Sequence, residues 1–390
     1  MTVNPLVAAT EAPPIAEAWS WVLGREFPAD RPLIDLCQAV PGYAPAADLQ
    51  AHLAEEVGRY DTARYTPITG IPPLRAALAA RTAELYGGAV RPEEVLITAG
   101  CNQAFVVAVM ALARAGDNVI LPVPWYFNHK MTLDLLGIEA RPLVCREENG
   151  LVPDPADAEA LIDERTRAIV LITPNNPTGA IAPPQTIAAF HDLARRRGIR
   201  CLLDETYRDF PDWGAEPPHG LFRRPDRDDT LVQLYSFSKV FSLAGYRVGA
   251  VIAEAGLLTQ MAKILDCVAI CAPHVGQKAA LYGLRNLGGW VAERRADIVE
   301  RVDAFKRVLG DGQGGWRIAS IGAYFAYMRH PYDGRPAKEV AKELADRHNI
   351  LCLPGPMFGP GQDAYLRFAF ANVDTALMPE IARRLTAPGR

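Results

Sequence analysis

The stretch AIVLITPNNPTGAIAPPQTIAAFHDLARRRGIRCLLDETY (168–207) decides the fold. AIVLITP (168–174) is an apolar run rich in Leu and β-branched residues, the length of a strand buried on both faces. PPQTIAAFHDLARRRG (183–198) then reads as an amphipathic helix. Its arginines gather at the carboxyl end, where cations suit the helix dipole. IRCLLDE (199–205) is a second buried strand that ends in polar residues. Strand, helix, strand is a right-handed crossover unit, and it predicts a mostly parallel sheet covered by helices.

The alternation continues outward. EVLITAG (94–100) reads as a strand entering a turn, NQAFVVAVMALARAG (102–116) as a helix with a glycine stop, and DNVILP (117–122) as a strand. DDTLVQLYSF (228–237) and YRVGAVIA (246–253) are further strands. Beyond them the pattern changes. WVAERRADIVERVDAFKRVLG (290–310) is a long amphipathic helix. GAYFAYM (322–328) and AYLRFAF (364–370) read as strands, 336–348 and 373–386 as helices, and LPGPMFGPGQ (353–362) as a loop. Three parts are predicted: a proline-rich N-terminal segment (1–45) that wraps both domains and joins the small one, a large α/β domain (46–288), and a small α+β domain (289–390). GDGQGG (310–315) matches the dinucleotide fingerprint in form only. It follows a helix and precedes a strand, the reverse of the binding context, and reads as a turn.

Composition sets the class. The 390 residues are 49% hydrophobic and 22% charged, with a net charge of −4, so nothing points to nucleic acid or an anionic membrane. Seven cysteines, odd in number and without a CxxC pair, argue against a zinc site or a disulfide framework and fit a reducing compartment. The N-terminal stretch lacks a basic start and a continuous apolar core, and no apolar run has spanning length. A soluble cytoplasmic protein is expected.

In parallel sheets ligands bind beyond the carboxyl ends of the strands, so the polar residues there are the candidates. Lys239, in QLYSFSKVFSLAGYRVG (233–249), follows a strand and has Ser236 and Ser238 beside it and Arg247 eight residues on. A partly desolvated lysine loses proton affinity and becomes a nucleophile suited to Schiff-base chemistry with an aldehyde. Arg247 offers a fork for phosphate oxygens. Gly100, Cys101 and Asn102 open a helix directly after a strand, where free backbone N–H groups bind anions. A phosphorylated aldehyde that meets a lysine is pyridoxal 5′-phosphate. Its ring nitrogen needs a buried carboxylate, and Asp204 ends a strand in a suitable place. Tyr207 and Asn176 can donate to the phenolic oxygen. Taken singly, Asp204 also reads as a cap, Asn176 as an Asn-Pro turn, and Lys239 as a surface lysine.

Six motifs in one order carry a resemblance: RYTPITGIPPLR (64–75), ITAGCNQAF (97–105), TPNNPTG (173–179), DETYRDF (204–210), SFSKVFSLAGYRVG (236–249) and YLRFAF (365–370). Over nearly its whole length the chain resembles the class I/II aminotransferases, the aspartate-aminotransferase-like superfamily of fold type I. The resemblance implies a large domain with a mostly parallel seven-stranded sheet flanked by helices, plus a smaller α+β domain. It implies pyridoxal 5′-phosphate as cofactor, amino acid and 2-oxo acid substrates, ping-pong transamination and a homodimer with shared active sites. It gives Lys239 the Schiff base and the proton shuttle, Asp204 the ring nitrogen, and Asn176 and Tyr207 the phenolic oxygen. The phosphate falls to Ser236, Arg247 and the backbone of Gly100, Cys101 and Asn102, with Ser238 a weaker candidate and Tyr65 reaching in from the neighbouring subunit. Tyr126 takes the stacking aromatic's place, with Trp125 as the alternative. Arg367 takes the α-carboxylate, with Asn176 and the backbone N–H of Ala39 beside it.

Two departures stand out. CQA (37–39) replaces the family's Gly-Gln-Gly, and the phosphate turn reads Gly-Cys-Asn. A C–S β-lyase on the same fold begins with the same proton abstraction and is the nearest alternative. A regulator carrying this domain would need a DNA-binding module, and no basic patch or helix-turn-helix is visible. No motif marks a second cation for a distal carboxylate, which favours neutral or aromatic amino acids. Trp19, Tyr43, Tyr65, Trp125 and His274 are candidate walls of the side-chain pocket.

Overall fold

The computed structural model describes residues 3–214 and 216–386. Its strands are β1 (Ile34–Asp35), β2 (Val95–Thr98), β3 (Asn118–Val123), β4 (Glu139–Val144), β5 (Thr166–Ile172), β6 (Arg200–Asp204), β7 (Leu231–Ser236), β8 (Gly249–Ile252), β9 (Arg317–Gly322), β10 (Phe325–Arg329), β11 (Ile350–Leu351), β12 (Leu353–Pro354) and β13 (Tyr365–Ala369). Seven of them form one sheet in the order β2-β8-β7-β6-β5-β3-β4. All neighbours in it run parallel except β8, which is antiparallel to both β2 and β7.

The apolar strands are buried on both faces, and the two-residue period sorts their side chains. Ile169, Leu171, Cys201 and Leu203 enter one core, while Ala168, Val170 and Leu202 enter the other. The helix Pro184–Arg197 closes the crossover between β5 and β6. It starts with proline in its first turn and stops at Gly198, which stands left-handed at φ +64°.

A four-stranded antiparallel sheet, β12-β13-β10-β9, covers a separate core with the helices Gly288–Leu309, Ala337–His348 and Met378–Thr386. β1 pairs parallel with β11, so the N-terminal segment is tied to this second layer. Ser242 Oγ donates to the Tyr43 carbonyl at 2.7 Å, which ties the same segment to the large sheet.

Several element readings need correction, including the loop read over 353–362, which begins with β12. β4 leaves no signal in EARPLV, because it is an edge strand and only Leu143 of it is buried, so there is no apolar run to read. GAYFAYM is not one strand: Ala323, at φ +45°, turns the chain, and β9 and β10 pair as a hairpin around it. The preceding β9 has mostly half-buried residues and a weak apolar pattern. The helix expected over 373–386 begins only at Met378, after a 3-10 turn at Thr375–Leu377. Gly312, Gly314 and Gly315 all stand at positive φ, so the glycine-rich 310–315 segment is a turn. Among the described residues no helix is long and apolar enough to cross a membrane.

The layers meet tightly at Gly179, which stands at φ +73°. A Cβ there would press into the backbone of Gly322 and Phe325 on the β9–β10 hairpin. Gly179→Ala is expected to destabilise the protein by about 2–3 kcal/mol. Urea denaturation checks this, and an unchanged midpoint would mean the layers yield there.

Candidate active site

The carboxyl ends of β5, β6 and β7 open into a cavity of about 410 Å³. Asp204, the last residue of β6, lies at its floor and is 4% exposed. A buried carboxylate needs partners, and this one has three kinds. Thr206 donates to Oδ1 from its amide at 3.0 Å and from its hydroxyl at 2.7 Å. His129 Nε2 stands 3.4 Å from Oδ2, and the Cys101 thiol lies 3.7 Å from Oδ1. Burial alone would raise the Asp204 carboxyl, but His129 and Thr206 outweigh it and hold it below its ordinary value. The His129 ring is itself fixed by stacking on Phe105 at 3.8 Å between centroids.

Ser236 ends β7 and caps the short helix Phe237–Val240, its hydroxyl accepting from the Ser238 amide at 3.2 Å. That helix carries Lys239. Burial, with Arg247 and Arg367 nearby, pulls the Lys239 amine down to about 8. Its Nζ donates to the Ala39 carbonyl at 2.5 Å. Ala39 thus lines the cavity and meets the lysine through its carbonyl.

Arg247 stands left-handed at φ +52°, a strained place for a residue with a side chain. The strain aims its guanidinium at the Gly100 turn, where Nη1 donates to the Ala244 carbonyl at 2.9 Å and Nη2 to the Ala99 carbonyl at 3.3 Å. Gly100, at φ +84°, opens the helix Cys101–Leu112, so the first amides of that helix are without partners inside it. A Cβ on Gly249 would lie 2.7 Å from the Gly100 carbonyl carbon, so only glycine lets the strand pass this turn.

On the far wall Arg367 rises from β13 and is 1% exposed. Nη1 donates to Asn176 Oδ1 at 3.1 Å and Nη2 to the Cys37 carbonyl. Burial lowers its affinity for the proton. Tyr126 donates to Asn102 Oδ1 at 3.3 Å and accepts from Asn128 Nδ2 at 3.0 Å, and burial pushes its hydroxyl up to about 12. Tyr207 is buried against Tyr324 and Phe325, and burial raises its hydroxyl well above the ordinary value.

Lys239, Asp204, Tyr207, Cys101, Asn102, Tyr126, Asn176, Ser236, Ser238, Arg247, Arg367 and Ala39 therefore line one cavity, although they come from segments far apart in the chain. Gly100 stands directly behind. Tyr65 does not reach the cavity and is 77% exposed. Trp19, Tyr43, Trp125 and His274 do not line it either. Tyr43 hydrogen-bonds Tyr324 at 3.4 Å, and Trp125 is buried behind the wall.

The donor set fits pyridoxal phosphate. One end offers an anion cradle of helix amides, two serine hydroxyls and Arg247. The other offers a depressed lysine, and the floor offers an anionic carboxylate. The pattern of the family described as Aminotransferase class I and II matches residues 31–385. This chain belongs to that family. It is a pyridoxal-phosphate-dependent aminotransferase.

An aromatic aminotransferase of Arabidopsis thaliana is 29% identical over 359 residues, covering 90% of this chain and 88% of the relative. An arginine–pyruvate transaminase of Pseudomonas aeruginosa is 30% identical, covering 78% of this chain and 77% of the relative. A mutant aspartate aminotransferase of Thermus thermophilus superposes with a TM-score of 0.89 at 23% identity, covering 99% of both chains, and shares the fold.

Sequence reasoning about this aminotransferase missed His129, Thr206 and Asn128. His129 and Asn128 lie in VPWYFNHK, and a histidine buried on a helix between aromatic residues was the available signal. Thr206 had none: its role follows from the turn after β6.

The depressed Lys239 predicts a pH dependence. The unfolded amine holds its proton to about 10.5, so between about 8 and that value the folded apoenzyme has shed a proton that the unfolded chain keeps. Lys239 thus adds to apoenzyme stability as pH rises through that window, and its charge costs stability below it. Covalent labelling of Lys239 by pyridoxal phosphate and borohydride, followed by mass spectrometry, should rise with pH through a midpoint near 8. A midpoint above 10 would place the amine in solvent.

Proposed function

We propose that this aminotransferase takes L-amino acids with uncharged apolar or aromatic side chains and passes their amino group to a 2-oxo acid in two half-reactions. The cations of the cavity carry this reading. Lys239, Arg247 and Arg367 are the positive side chains in its wall among the described residues, and each has another task. Ile15, Val40, Phe127 and Ile172 contribute apolar surface. Among this chain's own wall residues a distal carboxylate would find no free cation.

Pyridoxal phosphate, when bound, supplies the electron sink that makes the α-proton removable. Lys239 is the nucleophile toward the cofactor's aldehyde. Its neutral amine, once free, would take the proton from the substrate's α-carbon. Asp204, kept anionic by His129 and Thr206, holds a proton on the ring nitrogen. Tyr207 and Asn176 would donate to the phenolic oxygen, and Tyr126 would lie against the ring. Arg247, Ser236, Ser238 and the amides at Gly100, Cys101 and Asn102 take the phosphate. Arg367 forks onto the α-carboxylate, one arm braced by Asn176.

Residues 46–288 would then hold the cofactor and 289–390 the carboxylate clamp. The exposed Tyr65 is the residue a second copy would bring to the phosphate, so the working form is read as a cytoplasmic homodimer.

Mixing the loaded enzyme with single amino acids, without any oxo acid, tests the reading. Phenylalanine, tyrosine or leucine should convert the bound cofactor to its amine form at least tenfold more efficiently than aspartate. A preference for aspartate would overturn the substrate class. Ammonia and pyruvate released from a sulfur amino acid, with no such conversion, would favour the β-lyase. Arg367→Ala should raise KM for amino and oxo acids by about 10- to 100-fold, more than it lowers kcat. Unchanged constants would move the carboxylate site elsewhere.

A further inference from the structure

The segment DLCQA (35–39) has one edge on the small sheet and the other in the cavity. On the sheet side its backbone is fully engaged. The Asp35 carbonyl accepts from Asn372 Nδ2 at 3.0 Å. The Leu36 amide donates to the Leu351 carbonyl and the Leu36 carbonyl accepts from the Ala369 amide, both at 2.8 Å. The chain then turns sharply, and the Asp35 side chain makes the turn. Its Oδ1 accepts from the Cys37 amide at 2.7 Å and from the Gln38 amide at 3.4 Å. An aspartate that folds its own downstream amides back in this way fixes the peptide planes that follow.

The consequence lies on the other side of those planes. The Cys37 carbonyl accepts from Arg367 Nη2, and the Ala39 carbonyl accepts from Lys239 Nζ at 2.5 Å. One short turn therefore holds both cations on which the proposed chemistry depends. The Arg367 fork is set by two acceptors, Asn176 Oδ1 and the Cys37 carbonyl, and its Nε has none. Loss of the Cys37 carbonyl would leave one arm of a fully buried guanidinium without a partner, which is costly and frees the fork to rotate.

We propose that Asp35 is a positioning residue for substrate binding: its carboxylate shapes the turn whose carbonyls hold Arg367, and with it Lys239, in the orientation that receives the substrate. Asp35 lines no part of the cavity, and its hydrogen bonds go to the Cys37 and Gln38 amides. The turn requires an acceptor at Oδ1, which asparagine keeps and alanine removes. This inference rests on the reading of Arg367 as the α-carboxylate clamp.

The test uses holoenzyme and two readouts. One is KM and kcat for phenylalanine. The other is calorimetric binding of 3-phenylpropionate, which has the carboxylate but no amine to react. Asp35→Ala is expected to weaken 3-phenylpropionate and raise KM about tenfold, with kcat within about threefold. Asp35→Asn should stay within about twofold of wild type on both. In an Arg367→Lys background, Asp35→Ala should add less than twofold, because the fork it orients is gone.

If Asp35→Ala does not fold, Asp35→Ser takes its place, with a loss of at least threefold in affinity expected from its shorter side chain. Full affinity in Asp35→Ala or Asp35→Ser, or equal losses in Asp35→Ala and Asp35→Asn, would overturn the proposal while leaving the clamp reading intact. Equal binding of 3-phenylpropionate by wild type and Arg367→Ala, or none by either, would sink the clamp reading itself.

Discussion

A carboxylate taken out of water must be matched, and the match at Asp204 organises this enzyme. The residue ends a strand at the centre of a sheet buried on both faces, where an unpaired charge would be intolerable. Thr206 supplies two donors from the turn that follows. His129 comes from the helix Phe127–Leu135 and is held flat by Phe105 from the helix Cys101–Leu112. Satisfying one charge thus fixes three elements against one another. The same three elements carry Tyr126, the phosphate turn and Tyr207.

The cations obey the same logic with a different answer. Lys239 is given a single carbonyl and no carboxylate, so burial acts on it unopposed and lowers its proton affinity. Arg367 stays braced by neutral acceptors, Asn176 and the Cys37 carbonyl. A carboxylate beside Lys239 would keep the proton on its amine, and one beside Arg367 would neutralise the charge that meets the substrate. Arg247 is aimed by backbone strain at a turn that only glycine can form.

Behind Asp204 lies a second buried polar group that the chemistry does not use. Glu205 accepts from Tyr86 at 2.7 Å, from Gln233, and from His219 at 3.3 Å. It sits beneath the opposite face of the sheet and anchors the loop that returns from residue 206 to β7. The last residue of β6 and the residue after it thus serve opposite faces, Asp204 the cavity and Glu205 the scaffold.

Much of this was legible without coordinates. Apolar strands alternating with amphipathic helices require a covered parallel sheet, and such a sheet puts its polar strand ends at one edge. Asp204, Asn176 and Lys239 could be named because they sit at or just beyond apolar runs, and Arg247 because it stands eight residues after the lysine. What the sequence could not hold were contacts between segments distant in the chain. The edge strand β4 lacks an apolar signature, and the β9–β10 turn hides inside an aromatic run. His129 reaches Asp204 across 75 positions of sequence, and the Cys37 and Ala39 carbonyls meet their cations only because β1 pairs with β11. Residue types and their period determined which groups are present and which strand ends bear them. Which group faces which was decided by packing, because buried charges find their partners through space.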